Sequence, residues 1–114
     1  MTLEEFNSKY EYTSDGRLDS WQVMEMVDGK YKGDCEDYCI TIQEKVDGFR
    51  NLELYYCKYD GLGHCVGKLG DMWIDCGTKR LVNDLGPKYT DIRKYWLVEI
   101  IVKKVIGRIL RCLR

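Results

Sequence analysis

Apolar and polar residues alternate with two different periods along this 114-residue chain, and the change between them divides it. From Cys35 to Val46 the apolar positions Cys35, Cys39, Ile42 and Val46 are spaced four, three and four, which predicts a helix with one apolar face. Asp34 is a favourable N-cap for it, and Gly48 stands where helices commonly end. Beyond Gly48 the period drops to two: Leu52, Leu54 and Tyr56 predict a strand over 52–58. Gly61-Leu62-Gly63 predicts a turn into a second strand, His64–Leu69. Gly70-Asp71 turns into a third, Met72–Cys76, and Gly77-Thr78 into a short fourth around Leu81-Val82. Asn83 to Thr90, with Gly86-Pro87, reads as a loop, and Tyr95 to Leu113 is the longest helical segment. Towards the N-terminus, Thr2-Leu3-Glu4-Glu5 reads as a capping box opening a short helix that ends near Lys9. Tyr10 to Asp19 reads as a loop. Ser20 caps a second short helix, Trp21–Val27, closed by Asp28-Gly29.

Helices first, then an antiparallel meander, then a closing helix predict a two-layer α+β fold. The length supports a single compact domain over 1–114, with no internal repeat or domain boundary. On a helical wheel the segment 95–113 is a basic amphipathic helix. Lys103, Lys104, Arg108, Arg111 and Arg114 fall on one side, with Val98, Ile101, Val102, Val105, Ile106, Ile109 and Leu113 opposite. A small domain needs cover for an open sheet face, so the apolar side is expected to dock on the sheet with the basic side in solvent. Peripheral membrane or protein contact through this helix is the alternative.

Hydrophobic residues at 45% with 32% charged residues and a single proline describe a globular chain rather than a disordered one. The net charge of −1 hides an asymmetry. From Lys88 onward Lys and Arg outnumber Asp91 and Glu99, whereas the preceding body is acidic. Most of the tyrosines lie in the acidic part and make no basic-aromatic interleave, so no nucleic-acid partner is expected. Met-Thr-Leu-Glu-Glu-Phe has neither a basic nor an apolar leader region, and no apolar run reaches the roughly 20 residues that span a bilayer. The expectation is a cytoplasmic protein whose six cysteines are reduced. Their spacings contain no Cys-x-x-Cys pair and fit no familiar structural zinc site.

One cysteine is placed differently from the rest. Cys35 would occupy the first turn of the 35–46 helix, where unpaired N–H groups and the helix dipole favour a thiolate. Downstream stand the sole histidine, His64, and then Asp75, the parts of a Cys-His-Asp acyl-transfer site. A buried structural cysteine is the plain alternative, but Asp34, Glu36 and Asp37 beside it resist burial. The same carboxylates raise the thiol pKa, so the dipole and a protonated His64 must outweigh them. As the only histidine, His64 is the only candidate for a base titrating near neutral pH. Asp71 rivals Asp75 as its partner. Alternation favours Asp75, which shares a strand face with Trp73, an aromatic suited to wall the site.

Gly33-Asp34-Cys35-Glu36-Asp37-Tyr38 resembles the cysteine signature of bacterial transglutaminase-like cysteine peptidases, members of the papain-like superfamily. Asp19-Ser20-Trp21 is similar to that family's Asp-x-Trp element, Gly63-His64-Cys65-Val66 to its Gly-His-Ala-Val motif, and Trp73-Ile74-Asp75 with Lys79-Arg80-Leu81-Val82 to its aspartate region. Cys39 and Cys65 stand where the family usually has alanine. The resemblance implies a papain-like core with Cys35 at a helix N-terminus packed on a small antiparallel sheet. It implies Cys35 as nucleophile, His64 as base and acid, and Asp75 as the group orienting the imidazole. Trp21 would line the site, and the Cys35 N–H with Gln22 would form the oxyanion hole. Calcium, bound in some relatives by acidic residues flanking the cysteine, would here fall to Asp34, Glu36 or Asp37. The implied activity is hydrolysis of a peptide or amide through a thioester, on a protein or peptide substrate. Transglutaminase or deamidase transfer by the same triad, and a non-catalytic interaction module on the same scaffold, are the alternatives.

Overall fold

A computed structural model of the chain describes residues 1–13, 22–95 and 97–112. The fold is α+β, with three helices and two small sheets. Helix α1, Leu3–Lys9, starts where Thr2 Oγ1 accepts the Glu5 N–H at 3.1 Å, and it buries Phe6. The next residues depart from expectation. Tyr10–Tyr12 form strand β1 rather than a loop, paired in parallel with β3, Lys30–Gly33. Met26–Val27 form β2, antiparallel to β3, where a helix was expected. Asp28 and Gly29 both have positive φ (52° and 76°), so this pair is a two-residue hairpin turn and not a helix end. Tertiary bonds also take up backbone donors of the preceding residues: the Gln22 N–H donates to Asp37 Oδ1 and the Met24 N–H to Thr41 Oγ1. Ser20 and Trp21, the proposed start of that helix, lie outside the described residues.

Helix α2, Cys35–Lys45, agrees with its pattern to within a residue. Asp34 Oδ1 accepts the Asp37 N–H at 3.2 Å and Asp37 Oδ2 accepts the Asp34 N–H at 3.4 Å, a reciprocal capping box. Gly33 is required just before it. A Cβ there would stand 2.6 Å from Met24 Sδ and 2.8 Å from Asp37 Cβ, so only glycine lets β3 run into α2.

The second sheet contains the expected meander: β4 (Glu53–Tyr59), β5 (Leu62–Leu69) and β6 (Met72–Ile74). The first turn is Asp60-Gly61 (φ 52° and 83°), so β5 begins two residues before His64 and pairs His64 with Cys57. The short fourth strand reduces to a reciprocal bridge between Trp73 and Val82. The other edge is strand β7, Tyr89–Lys94, antiparallel to β4; the sequence pattern places its first two residues at the end of a loop and gives the rest no assignment. Its residues are almost all exposed, so no period-2 signal marks it. A bulge with Asp91 at φ 54° further breaks its register.

The core lies between α1, α2 and one face of the second sheet. Phe6, Tyr10, Tyr31 and Tyr38 form an aromatic cluster beneath Cys39, Ile42, Leu54, Cys65 and Ile74. Helix α3, Leu97–Cys112, does not dock its apolar side on the sheet: Ile101, Val102, Val105, Ile106 and Ile109 are exposed. The reason is that β7 and the residue after it offer polar and aromatic partners to the other side. Arg93 pairs with Glu99 at 3.3 Å, Lys103 lies over the Tyr95 ring, and Ile100 reaches the core edge. Among the described residues no helix is long and apolar enough to cross a membrane.

Candidate active site

Asp75 is the best-defined element of the site. Strand β6 ends at Ile74, and the chain turns back through Cys76-Gly77-Thr78. That turn wraps the carboxylate: Oδ1 accepts the N–H groups of Gly77 (2.9 Å) and Thr78 (2.7 Å), and the Thr78 hydroxyl accepts the Asp75 N–H (3.1 Å). Oδ2 takes two side-chain bonds, 2.7 Å to His64 Nε2 and 2.7 Å from the Tyr89 hydroxyl. The side chain is fully buried with every oxygen bonded. Burial pushes its pKa up, but the bonds from His64, Tyr89 and Thr78 more than offset this and hold it below the ordinary aspartate range.

His64 is delivered by β5 and held from two sides. Tyr59 and Tyr89 rings stand 5.6 and 5.8 Å from the imidazole, with Tyr59 and Tyr89 themselves edge to face at 4.9 Å. With the ionised Asp75 on Nε2, the proton of neutral His64 sits on that nitrogen, which leaves Nδ1 as the basic one. Asp71, the rival partner, is exposed in the β5–β6 turn. The expected aromatic wall is not Trp73, which packs edge to face on Tyr55 at 5.1 Å beneath Lys68. The chain leaves the strand at Asp75, so the pleat does not carry Trp73 to the site. Tyr59 and Tyr89 do that work instead. Tyr12, Tyr59, Leu62, Leu85 and Tyr89 line a cleft of about 670 Å³ with His64 in its wall.

Cys35 opens α2 as expected, and its bonds go to other groups than this pair. The residue is buried, and its thiol donates to Glu36 Oε2 at 3.2 Å and receives the Cys65 backbone N–H. Burial first, and the Glu36 charge second, push it far above the ordinary thiol range. The link to His64 is through β5: Cys65, against the thiol, is the next residue after His64. No hydrogen bond joins Cys35 to His64 among the described residues, and Cys35 does not line the cleft. Glu36 is raised to about 7, by burial and then the Asp34 charge, and Asp37 to about 8 by the same two causes.

Gln22 is half-buried, and its N–H is fixed at 3.2 Å on Oδ1 of Asp37, the residue two after Cys35. Trp21 lies outside the described residues. The carboxylates considered for calcium have other partners in the fold. Asp34 and Asp37 cap α2 and Glu36 takes the thiol, and no group of three or more His, Cys, Asp or Glu converges on a metal-sized point among the described residues. Cys35, Cys39, Cys57, Cys65 and Cys76 are free thiols.

Sequence reasoning passed over Tyr89, Tyr59 and Thr78. Tyr59 sits one residue past the predicted strand and shares its parity with Cys57 rather than with Leu52, Leu54 and Tyr56, so the apolar period did not point to it. Tyr89 had no signal either, since its strand is an irregular, polar edge. No family model, curated protein or solved structure matches this chain.

Proposed function

We propose that the protein is a cysteine-dependent hydrolase of peptide or amide bonds, of the transglutaminase-like kind on a papain-like core. The observation that carries this reading is the 2.7 Å His64–Asp75 pair, closed by Tyr89 at the wall of an aromatic cleft. An imidazole held by a buried carboxylate on Nε2, with Nδ1 left basic, is the arrangement a nucleophile needs beside it. In the reaction Cys35 leaves Glu36 and gives its proton to His64 Nδ1. The sulfur attacks the carbonyl carbon, and the oxyanion is held by N–H donors including that of Cys35. Collapse breaks the C–N bond, the departing amine takes the proton from His64, and a thioester remains. His64 then deprotonates water, which releases the acid and restores the thiol. An amine in place of water gives transamidation. The chemistry needs a reduced thiol, which suits a reducing compartment such as the cytoplasm.

The bonding of Cys35 to Glu36 rather than to His64 favours a second reading, in which the scaffold binds a protein or peptide without catalysis. Alkylation by iodoacetamide, with the modified cysteine located by mass spectrometry, separates the two. A hydrolase labels first at Cys35 with a rate that titrates near neutral pH, and His64→Ala removes that limb. Labelling of Cys35 no faster than a buried thiol, and unchanged in His64→Ala, leaves the binding module.

A further inference from the structure

We propose that α3 is a docking element for an anionic lipid surface. This stands apart from the hydrolase reading, since it uses no residue of the site. Ile101, Val102, Val105, Ile106 and Ile109 recur at helical spacing and are between 37% and 53% exposed. They form one continuous apolar stripe along a 16-residue helix, about 24 Å long at 1.5 Å per residue. The helix turns its other side to the body, where Glu99 meets Arg93, Lys103 meets Tyr95, and Gly107 is buried. The stripe therefore faces away from the domain that should have covered it.

Charge identifies the occupant. Lys104 and Arg108, one turn apart, border the stripe, and Arg108 is exposed. The only acidic residue of α3, Glu99, is engaged by Arg93. A second copy of the chain packed on the same stripe would bring two such basic borders together with no acid to receive them. An anionic headgroup layer receives both: the stripe enters the acyl boundary while Lys104 and Arg108 extend their charges to the phosphates. With no membrane-crossing helix among the described residues, α3 lies in the surface plane.

The test is cosedimentation of the full chain with vesicles of phosphatidylcholine alone or mixed with phosphatidylserine. Binding to the mixed vesicles at low salt is expected to exceed binding to the neutral ones by at least about tenfold and to fall as salt rises. Val105→Asp should abolish it, and Lys104→Glu with Arg108→Glu should reduce it by about tenfold or more. Val105 and Arg108 are exposed and Lys104 is half-buried, so far-UV circular dichroism should be unchanged; if Val105→Asp does not fold, the charge-reversed pair carries the test. Absence of binding to phosphatidylserine vesicles at low salt overturns the proposal. So does a dimer in sedimentation equilibrium that Val105→Asp dissociates, which would assign the stripe to a second copy.

Discussion

Tyr89 contributes one of the bonds that keep a buried carboxylate charged, and its removal should be felt twice. Tyr89→Phe is expected to cost about 1–3 kcal/mol in urea unfolding at neutral pH, because the buried Asp75 carboxylate loses one of its donors. The acid limb should shift as well. Asp75 has a folded pKa below its unfolded value of about 3.9, so its contribution is present above that value and disappears as pH falls through the folded one. With one donor gone the folded pKa rises toward the unfolded one, and Tyr89→Phe should gain less stability than the wild type between strong acid and about pH 5. Glu36 acts on the thiol in the opposite sense, since its carboxylate both accepts from Cys35 and raises its pKa. Glu36→Gln should speed Cys35 alkylation at mildly alkaline pH by about tenfold, the effect of one pKa unit. An unchanged rate would mean that burial alone holds the thiol protonated.

The join between β3 and α2 sets where Cys35 stands, and it tolerates no side chain at Gly33. Gly33→Ala must displace Met24 and the Asp37 Cβ together, and the latter is fixed to the helix. We expect a loss of about 1–3 kcal/mol in urea unfolding, with the capping box disturbed and Cys35 alkylation altered in the same variant. Gly61 is the contrast. It has open space around its Cβ position but φ at 83°, so alanine there strains the backbone of a surface hairpin and should leave Cys35 reactivity unchanged. The helix and the meander were legible because their periods are local. Strands β1, β2 and β7 were not: β1 and β7 depend on partners many residues away, Tyr31 for Tyr10 and Tyr59 for Tyr89, and β2 is only two exposed residues of a local hairpin.

For the molecule as a whole, the half-buried Glu36 and the buried Asp37 at the N-terminus of α2 should make stability decline toward alkaline pH. Glu36 and Asp37 have folded pKa values of about 7 and about 8, above unfolded values of about 4. Between those limits the folded state binds more protons than the unfolded one, so stability falls as pH rises through that window. Urea midpoints at pH 5 and pH 8 should show the drop, and Glu36→Gln should reduce it; equal midpoints would mean that both acids are ionised in the fold. Sequence alone was enough for the elements whose cause is local. Apolar spacing and the Asp34 cap gave α2 its place and set Cys35 in its first turn, and alternation between turn residues marked β4, β5 and β6. The sole histidine and Asp75 could be paired because one tight turn separates their strands. Tertiary structure decided what depends on distant groups. It brought Tyr89 onto Asp75 from an unsignalled edge strand and turned Cys35 toward Glu36 and the Cys65 N–H. It also decided which side of α3 meets the body. A wheel shows that a helix has an apolar side, but the direction of that side depends on which partners the rest of the chain presents. Here Arg93 and Tyr95 engage the polar side and leave the apolar one outward.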